Sequence, residues 1–334
     1  MTGPILVAEG LRKTFQASKS MGGPRTTVEA VRGVDLTVRT GEVFGLLGPN
    51  GAGKTTSMRM LCTLLSPTAG TARIAGFDLV TQQADVRRHI GYVGQKGGME
   101  RVASGRENLV LQAKLHGMDS RAASARVNAL IDRLRLAEFA DRKTRTLSGG
   151  QRRIFDLACG IVHTPRLLFL DEPTTGLDPA SRSRVWEEVG RLHAEGATVF
   201  LTTHYLEEAD ALCSTVAIVD RGQVVAFGTP SELKAKVGGD TVLLGFGSDT
   251  DAARAKTTLA GTGFARELHQ DAAHIRLYVE QGDQKLAGVL ASLHAARLTV
   301  TTVSLSRPTL DQVFLKLTGR SLSAAAESES EEAA

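Results

Sequence analysis

The stretch Gly48-Pro-Asn-Gly-Ala-Gly-Lys54-Thr55 constrains this sequence more than any other, because it fits the pattern G-x-x-x-x-G-K-[ST]. An apolar, strand-like segment, Val43–Leu47, precedes it, and a helical pattern follows over Lys54–Leu65. The glycines let successive backbone N–H groups face one point, and the helix start adds its own free N–H groups. A chance match is the alternative, at roughly one or two in a hundred for this composition. The sequence therefore predicts a nucleotide site in which Lys54 meets the outer phosphates and Thr55 binds Mg²⁺.

Acidic residues follow a second apolar run, Leu167–Leu170, which is short and typical of a strand buried on both faces. Ligands gather at the carboxyl ends of parallel strands, so Asp171 is placed to hold Mg²⁺ directly or through water. Glu172 points the other way and is the candidate to orient or deprotonate an attacking water. Alone, the acidic pair fits an ordinary polar loop equally well. Beside the phosphate loop, the metal and water roles are favoured.

The chain divides into two regions and a tail. Residues 1–237 alternate strand-like and helix-like segments, which predicts an α/β domain with a largely parallel sheet. A break falls at Gly238–Gly239, and residues 238–320 follow the order β-α-β-β-α-β, which is typical of a small ferredoxin-like α+β domain. Residues 321–334 are Ala, Ser and Glu, and we expect this acidic tail to be disordered.

Composition excludes several classes of protein. Hydrophobic residues make up 42% and charged residues 23%, so the chain is not wholly disordered. The longest apolar runs are far shorter than the 18 or so residues of a membrane-spanning helix, and no secretory signal is expected. The widely spaced Cys62, Cys159 and Cys213 favour a reduced, cytosolic setting. A net charge of +4 fits an anionic ligand or membrane surface and does not demand nucleic acid.

A further glycine-rich motif, Leu147-Ser-Gly-Gly-Gln151, opens a helix and forms a second anion-binding helix start. One ATP molecule does not easily occupy two such starts in one domain, so this one is expected to serve a second copy of the chain. With this motif the sequence resembles the ATP-binding subunits of ABC transporters over about residues 5–235. The resemblance implies a P-loop NTPase fold of the ABC type, with a helical subdomain at about 96–160.

The resemblance also assigns residues to ATP. It makes the glycine-rich loop the Walker A motif and Leu147–Gln151 the signature motif, which reaches the γ-phosphate held by the partner copy. Phe15 matches the aromatic residue that stacks on adenine; a core phenylalanine near a strand end is the alternative. The residues implied to bind ATP are Phe15, Gly48, Pro49, Asn50, Gly51, Ala52, Gly53, Lys54, Thr55, Thr56, Ser148, Gly149, Gly150, Gln151 and Asp178.

Three further matches concern catalysis and the dimer. Gln95 resembles the Q-loop glutamine, which senses Mg²⁺ and water and connects to the transmembrane partner. His204 resembles the switch histidine that contacts the γ-phosphate, and Asp178 resembles the D-loop aspartate at the dimer interface. The implied catalytic residues are Glu172, His204 and Gln95, and the implied metal-binding residues are Thr55, Gln95 and Asp171.

The segment Ser306–Arg320 is similar to the closing motif of the daunorubicin-resistance ATPase subfamily. That narrower resemblance implies an ATP-hydrolysing subunit that powers efflux of a drug or other amphipathic molecule through a separate integral membrane permease. It implies a homodimer that sandwiches ATP, peripheral at the cytoplasmic face of the plasma membrane. By analogy with other ferredoxin-like modules, residues 238–320 are expected to have a regulatory role, binding a small ligand or stabilising the dimer. No nucleic acid is expected.

A soluble ABC-type ATPase acting on nucleic acid or ribosomes is the alternative function. Chromosome-organising relatives split the cassette with long coiled coils, and translation-associated relatives carry two cassettes in one chain. This sequence has no long heptad run, and it has one phosphate loop and one signature motif. The export function is therefore favoured.

Overall fold

A computed structural model describes residues 3–17, 26–236 and 240–319. The chain divides into two compact units, the first ending at Pro230 and the second starting at Ser231. This division falls seven residues before the sequence-based boundary at 237. The predicted disordered tail, 321–334, lies outside the described residues. None of the helices in the described ranges combines the length and hydropathy of a membrane-spanning segment.

Strands and helices alternate along much of the chain. The strands are β1 (Pro4–Ala17), β2 (Thr26–Arg39), β3 (Val43–Leu47), β4 (Ala69–Ile74), β5 (Phe77–Asp78), β6 (Ile90–Val93), β7 (Leu167–Asp171), β8 (Thr198–Thr203), β9 (Thr215–Asp220), β10 (Gln223–Gly228), β11 (Asp240–Phe246), β12 (Glu267–Asp271), β13 (His274–Val279) and β14 (Val300–Ser306). The helices are α1 (Lys54–Leu61), α2 (Gln83–His89), α3 (Gly105–Leu115), α4 (Ser120–Arg133), α5 (Gly149–Ile161), α6 (Pro179–Ala194), α7 (Leu206–Leu212), α8 (Pro230–Ala235), α9 (Asp249–Ala260), α10 (Gly282–Ala295) and α11 (Leu310–Thr318).

The first unit is built around a six-stranded sheet in the order β10-β9-β3-β8-β7-β6. All neighbouring strands in it are parallel except β10, which runs antiparallel to β9. Every residue of β3, β7 and β8 is buried, as expected for strands covered on both faces. Because β6, β7, β8 and β3 are parallel neighbours, their carboxyl ends meet at one edge of the sheet. The segments that follow them begin at that edge, which places Gln95, Glu172, His204 and the phosphate loop together.

A second sheet of the first unit, β2-β1-β4-β5, is antiparallel, and the sequence patterns did not predict it. Its core residues alternate with polar ones, as Leu36 and Val38 do with Thr37 and Arg39 on β2. They belong to one hydrophobic cluster with Phe44 of the parallel sheet. The two sheets therefore share a core, and α1 contributes to it.

Helices α3, α4 and α5 form the helical subdomain in the predicted interval. Ser104 caps α3 in a reciprocal capping box with Glu107, and Asp119 caps α4 by accepting from two backbone N–H groups. Helix α1 is shorter than the predicted Lys54–Leu65. It ends at Leu61, and Thr63 then adopts a positive φ of 59°, which turns the chain out of the helix.

The second unit has the predicted β-α-β-β-α-β order, with α11 added at its end. Its sheet is fully antiparallel with the strand order β12-β13-β11-β14, the ferredoxin-like arrangement. Apolar residues of the inner strands, such as Val242 and Leu277, pack with Leu259 of α9 and Leu293 of α10. The sheet and the two helices thus enclose a core of their own.

A close approach between β6 and α5 gives a test of this packing. A Cβ added at Gly91 would lie 2.1 Å from the carbonyl oxygen of Gly160 on α5. We expect Gly91→Ala to lower the free energy of unfolding by about 1–3 kcal/mol, since the helix must move away. Urea unfolding measures the loss.

Gly190 provides the matched control. It lies exposed within α6, and an added Cβ there meets nothing within 4 Å. Gly190→Ala should raise the free energy of unfolding by about 0.5–1 kcal/mol, because alanine is the better helix former. An unchanged urea midpoint for Gly91→Ala would contradict the close approach.

Candidate nucleotide-binding site

The loop between β3 and α1 adopts the conformation that its glycines predict. Gly51 and Gly53 have φ of 70° and 97°, in the left-handed region that side chains disfavour. An added Cβ at Gly53 would lie 2.5 Å from the carbonyl oxygen of Ala30, and one at Gly48 would lie 2.2 Å from that of Val219. Backbone shape and lack of space therefore both require glycine here.

The Lys54 side chain lies inside this loop and is hydrogen-bonded to its backbone. Its Nζ donates to the carbonyl oxygens of Gly48 at 2.8 Å and Pro49 at 2.7 Å, and 4% of the residue is exposed. The ammonium is thus fixed under the arc of the loop before any phosphate binds. Its charge faces the point on which the loop converges.

Oxygen donors suited to a magnesium ion meet at the end of β7. The Thr55 hydroxyl donates to Asp171 Oδ1 at 3.1 Å, and the Thr202 hydroxyl donates to the same oxygen at 2.6 Å. Asp171 is 1% exposed. Hydroxyl, carboxylate and amide oxygens are ligands that Mg²⁺ prefers, so Thr55, Asp171 and the neighbouring Gln95 fit that ion.

Glu172 follows directly and lies at the centre of a polar cluster. Its Oε1 lies 3.5 Å from Lys54 Nζ and 3.4 Å from His204 Nδ1. Its Oε2 accepts from Gln95 Nε2 at 3.0 Å and from the Thr175 hydroxyl at 3.1 Å. Glu172 also has a φ of 44°, a strained conformation for a residue with a side chain. Such strain is typical of positions where side-chain direction is set by function.

The surroundings of Glu172 keep it ionised. Burial opposes the charged form, but the nearby His204 imidazole and the Lys54 ammonium outweigh it and hold the pKa of Glu172 at about 2. At neutral pH the carboxylate is therefore available to accept a hydrogen bond or a proton from water.

A cleft of about 450 Å³ brings nine of the predicted residues together. Its lining consists of Asn50, Gly51, Gly53, Lys54, Thr55, Thr56, Gln95, Glu172, Thr175 and His204. Thr175 is the addition that motif reasoning missed. The predicted residues that are not part of this lining are Phe15, Gly48, Pro49, Ala52, Ser148, Gly149, Gly150, Gln151, Asp171 and Asp178. Phe15 lies on β1, is 40% exposed, and has the Lys13 ammonium 5.4 Å from its ring centre.

The signature segment forms a fully capped helix N-terminus outside the cleft. Ser148 caps α5 and shares a reciprocal capping box with Gln151, while Ser148 and Gly149 are exposed. A Cβ at Gly150 would lie 2.3 Å from the Ser181 hydroxyl, so this glycine lets α5 and α6 approach. Asp178 caps α6 by accepting from the Ser181 N–H at 2.9 Å and hydroxyl at 2.7 Å, which lowers the pKa of Asp178.

Two other residues contact the site but belong to none of the motifs recognised in the sequence. Thr202 donates its hydroxyl to Asp171 from β8, 31 residues away in sequence. Arg153, on α5, donates to three backbone carbonyls that flank the cleft, those of Gly94, Asp171 and Pro173. Threonine on a buried strand and arginine in a helix have common structural roles, so neither residue type signals a site.

The depressed pKa of Glu172 predicts how stability depends on pH. Because the pKa falls from 4.5 to about 2 on folding, the ionised carboxylate stabilises the fold above pH 4.5. That contribution, roughly 1–3 kcal/mol, is lost as the pH falls from 4.5 toward 2. Urea unfolding of wild type and Glu172→Gln at pH 6 and pH 3 measures it. We expect wild type to lose more stability than the variant over this range, and equal losses would contradict the assigned environment.

Comparisons with known proteins identify the family to which this chain belongs. A family model described as ABC transporter matches residues 31–175, and one described as ATP-binding protein DrrA1-3-like, C-terminal domain, matches residues 228–318. The daunorubicin resistance ATP-binding protein DrrA3 of Streptomyces coeruleorubidus is 45% identical over 87% of this chain and 92% of its own length. The daunorubicin/doxorubicin resistance ATP-binding protein DrrA of Streptomyces peucetius is 44% identical over 90% of this chain and 92% of its own.

A solved structure shares its fold with most of this chain. The structure titled as the ATP-binding subunit of an ABC transporter aligns with a TM-score of 0.60 and 26% identity. The alignment covers 70% of this chain and 92% of that one.

Proposed function

We propose that this chain, which belongs to the family of ABC transporter ATP-binding proteins and hydrolyses ATP, powers export of an amphipathic compound through a separate membrane permease. The observation that carries the proposal is the convergence of Lys54, Gln95, Glu172 and His204 on one cleft. The names of the two Streptomyces relatives point to daunorubicin-like drugs as the class of cargo.

Within this proposal the phosphates of ATP lie on the loop Gly48–Thr56. The inward N–H groups of the loop and the start of α1 meet the phosphate oxygens, and Lys54 adds a full charge. Thr55, Gln95 and Asp171 hold Mg²⁺, which when bound neutralises charge on the phosphates. Phe15 stacks its exposed ring on the adenine.

Glu172 positions and deprotonates the attacking water. Its carboxylate is ionised at neutral pH, and Gln95 and Thr175 fix the direction of its Oε2. His204 lies beside Oε1 and serves the γ-phosphate side of the cleft. Most of the acceleration is electrostatic, because the donors are in place before charge develops on the transferred group.

A second copy of the chain completes the site. Ser148, Gly149, Gly150 and Gln151 form a helix start that does not line the cleft of its own copy, and Ser148 and Gly149 in it are exposed. A helix start of this kind suits a phosphate group, so it is placed to meet ATP held by the partner copy, with Asp178 at the interface. Two copies thus enclose two nucleotides, and hydrolysis opens them.

The complex lies peripherally at the cytoplasmic face of the plasma membrane. There, closure of the two copies is transmitted to the permease as a conformational change. Residues 238–320 regulate the pair or strengthen its association. No nucleic acid takes part in this scheme.

Glu172→Gln tests the assigned role of the carboxylate. We expect ATP binding within about threefold of wild type, because Lys54 and the loop are untouched. Turnover should fall by a factor of about 10³ or more, since the amide is not a base. Analytical ultracentrifugation with ATP should show a stable dimer. Normal turnover in this variant would remove Glu172 from the mechanism.

The transport role is tested by affinity purification from the native host membrane, with the wild-type chain and Lys54→Ala compared. We expect a hydrophobic partner protein with about six spans to co-purify with wild type, together with Mg²⁺-dependent ATP hydrolysis that Lys54→Ala abolishes. Recovery of active chain without a membrane protein, bound to nucleic acid or ribosomes, would instead support the soluble-ATPase alternative.

A further inference from the structure

Arg153 lies one turn into α5, the helix that the signature segment begins. The residue is 7% exposed, and its guanidinium points into the fold beside the hydrolysis cleft. The roles proposed for the signature segment, the phosphate loop and the carboxylates do not include it.

One planar group joins three separate segments at this point. Arg153 Nη1 donates to the carbonyl oxygen of Gly94 at 2.7 Å, Nη2 to that of Asp171 at 3.1 Å, and Nε to that of Pro173 at 2.7 Å. The N–H groups of a guanidinium stand in a fixed fork, so its three acceptors are held at fixed separations.

Each of these carbonyls lies next to a group that acts in the cleft. Gly94 precedes Gln95, Asp171 is itself the candidate metal ligand, and Pro173 follows Glu172. Asp156, one turn further along α5, accepts from the N–H of Gly98 at 3.2 Å. Helix α5 therefore holds the Gln95 segment on both sides of the glutamine.

Charge keeps this contact in place. Burial lowers the pKa of Arg153, and the carboxylates of Asp156, Asp171 and Glu208 oppose that effect. Since the pKa of a guanidinium starts far above neutrality, the group remains charged. Hydrogen bonds from a charged donor are stronger than neutral ones, so these three contacts are strong ones.

We propose that Arg153 is a positioning residue for ATP hydrolysis, fixing Gln95, Asp171 and Glu172 in place relative to the signature helix α5. Through this one side chain, the helix that contacts the partner copy's nucleotide also sets the geometry of the cleft in its own copy. The inference rests on the site assignment under the proposed function and adds a residue to it.

Arg153→Lys tests the proposal. An ammonium keeps the charge, but its donors do not form the flat fork that spans three carbonyls. We expect kcat of the full chain to fall at least tenfold. The KM for ATP should stay within threefold, because the phosphate loop makes none of the three contacts.

Arg126→Lys is the matched control. Arg126 lies on α4, and its guanidinium donates to the carbonyls of Ile161 and Val162, both at 2.9 Å, at the opposite end of α5. Burial lowers its pKa as it does for Arg153. This variant should show a similar drop in melting temperature and keep kcat within twofold of wild type.

A wild-type kcat in Arg153→Lys would overturn the proposal, and so would equal losses of kcat in both variants. If Arg153→Lys melts below the assay temperature, amide hydrogen exchange at 4 °C decides instead. The proposal requires faster exchange in residues 94–98 and 172–175 in Arg153→Lys than in Arg126→Lys, and equal exchange overturns it. Glu172→Gln is assayed in parallel: full activity there overturns the site assignment, whereas its inactivity beside an active Arg153→Lys overturns only the role of Arg153.

Discussion

The Lys54 ammonium and the Glu172 carboxylate are both almost removed from water, and each stabilises the other. A buried charge is costly unless opposite charges or hydrogen bonds surround it. Here the two groups lie 3.5 Å apart, with loop carbonyls around the ammonium and Gln95 and Thr175 around the carboxylate. The order β3-β8-β7 in the parallel sheet brings these two charges together, because Lys54 follows β3 and Glu172 follows β7. The same pairing keeps Glu172 ionised.

The signature helix α5 contributes both to the proposed contact with the second copy and to the cleft of its own copy. At its start, Ser148 and Gln151 complete an exposed cap, which the proposed second copy uses. One turn later, Arg153 contacts the backbone on both sides of Glu172 and just before Gln95. A rigid helix moves as a body, so a displacement at its exposed start also displaces its buried contacts. Hydrolysis in one cleft and association at the other are therefore mechanically linked in the proposed dimer.

Sequence reasoning identified the phosphate loop, the acidic strand end and the ferredoxin-like order of the second unit because each is a local pattern. The loop needs glycines at fixed spacing, and β7 needs a short apolar run before Asp171. The antiparallel sheet of β1, β2, β4 and β5 was missed because its strands alternate buried and exposed residues and so differ in pattern from the continuously buried parallel strands. Thr202, Thr175 and Arg153 were missed for a related reason. Their importance comes from the atoms they contact, and those atoms lie on other elements.

The caps at Ser148 and Asp178 have a kinetic consequence. Each is satisfied by side chains of its own copy, through Gln151 and Ser181 respectively, so both helix starts exist before any partner arrives. In the proposed dimer, the two copies would therefore meet as preformed surfaces and spend no conformational entropy on building these elements. Association in that dimer then does not wait for either helix start to fold, and the contact can be renewed in every cycle without refolding.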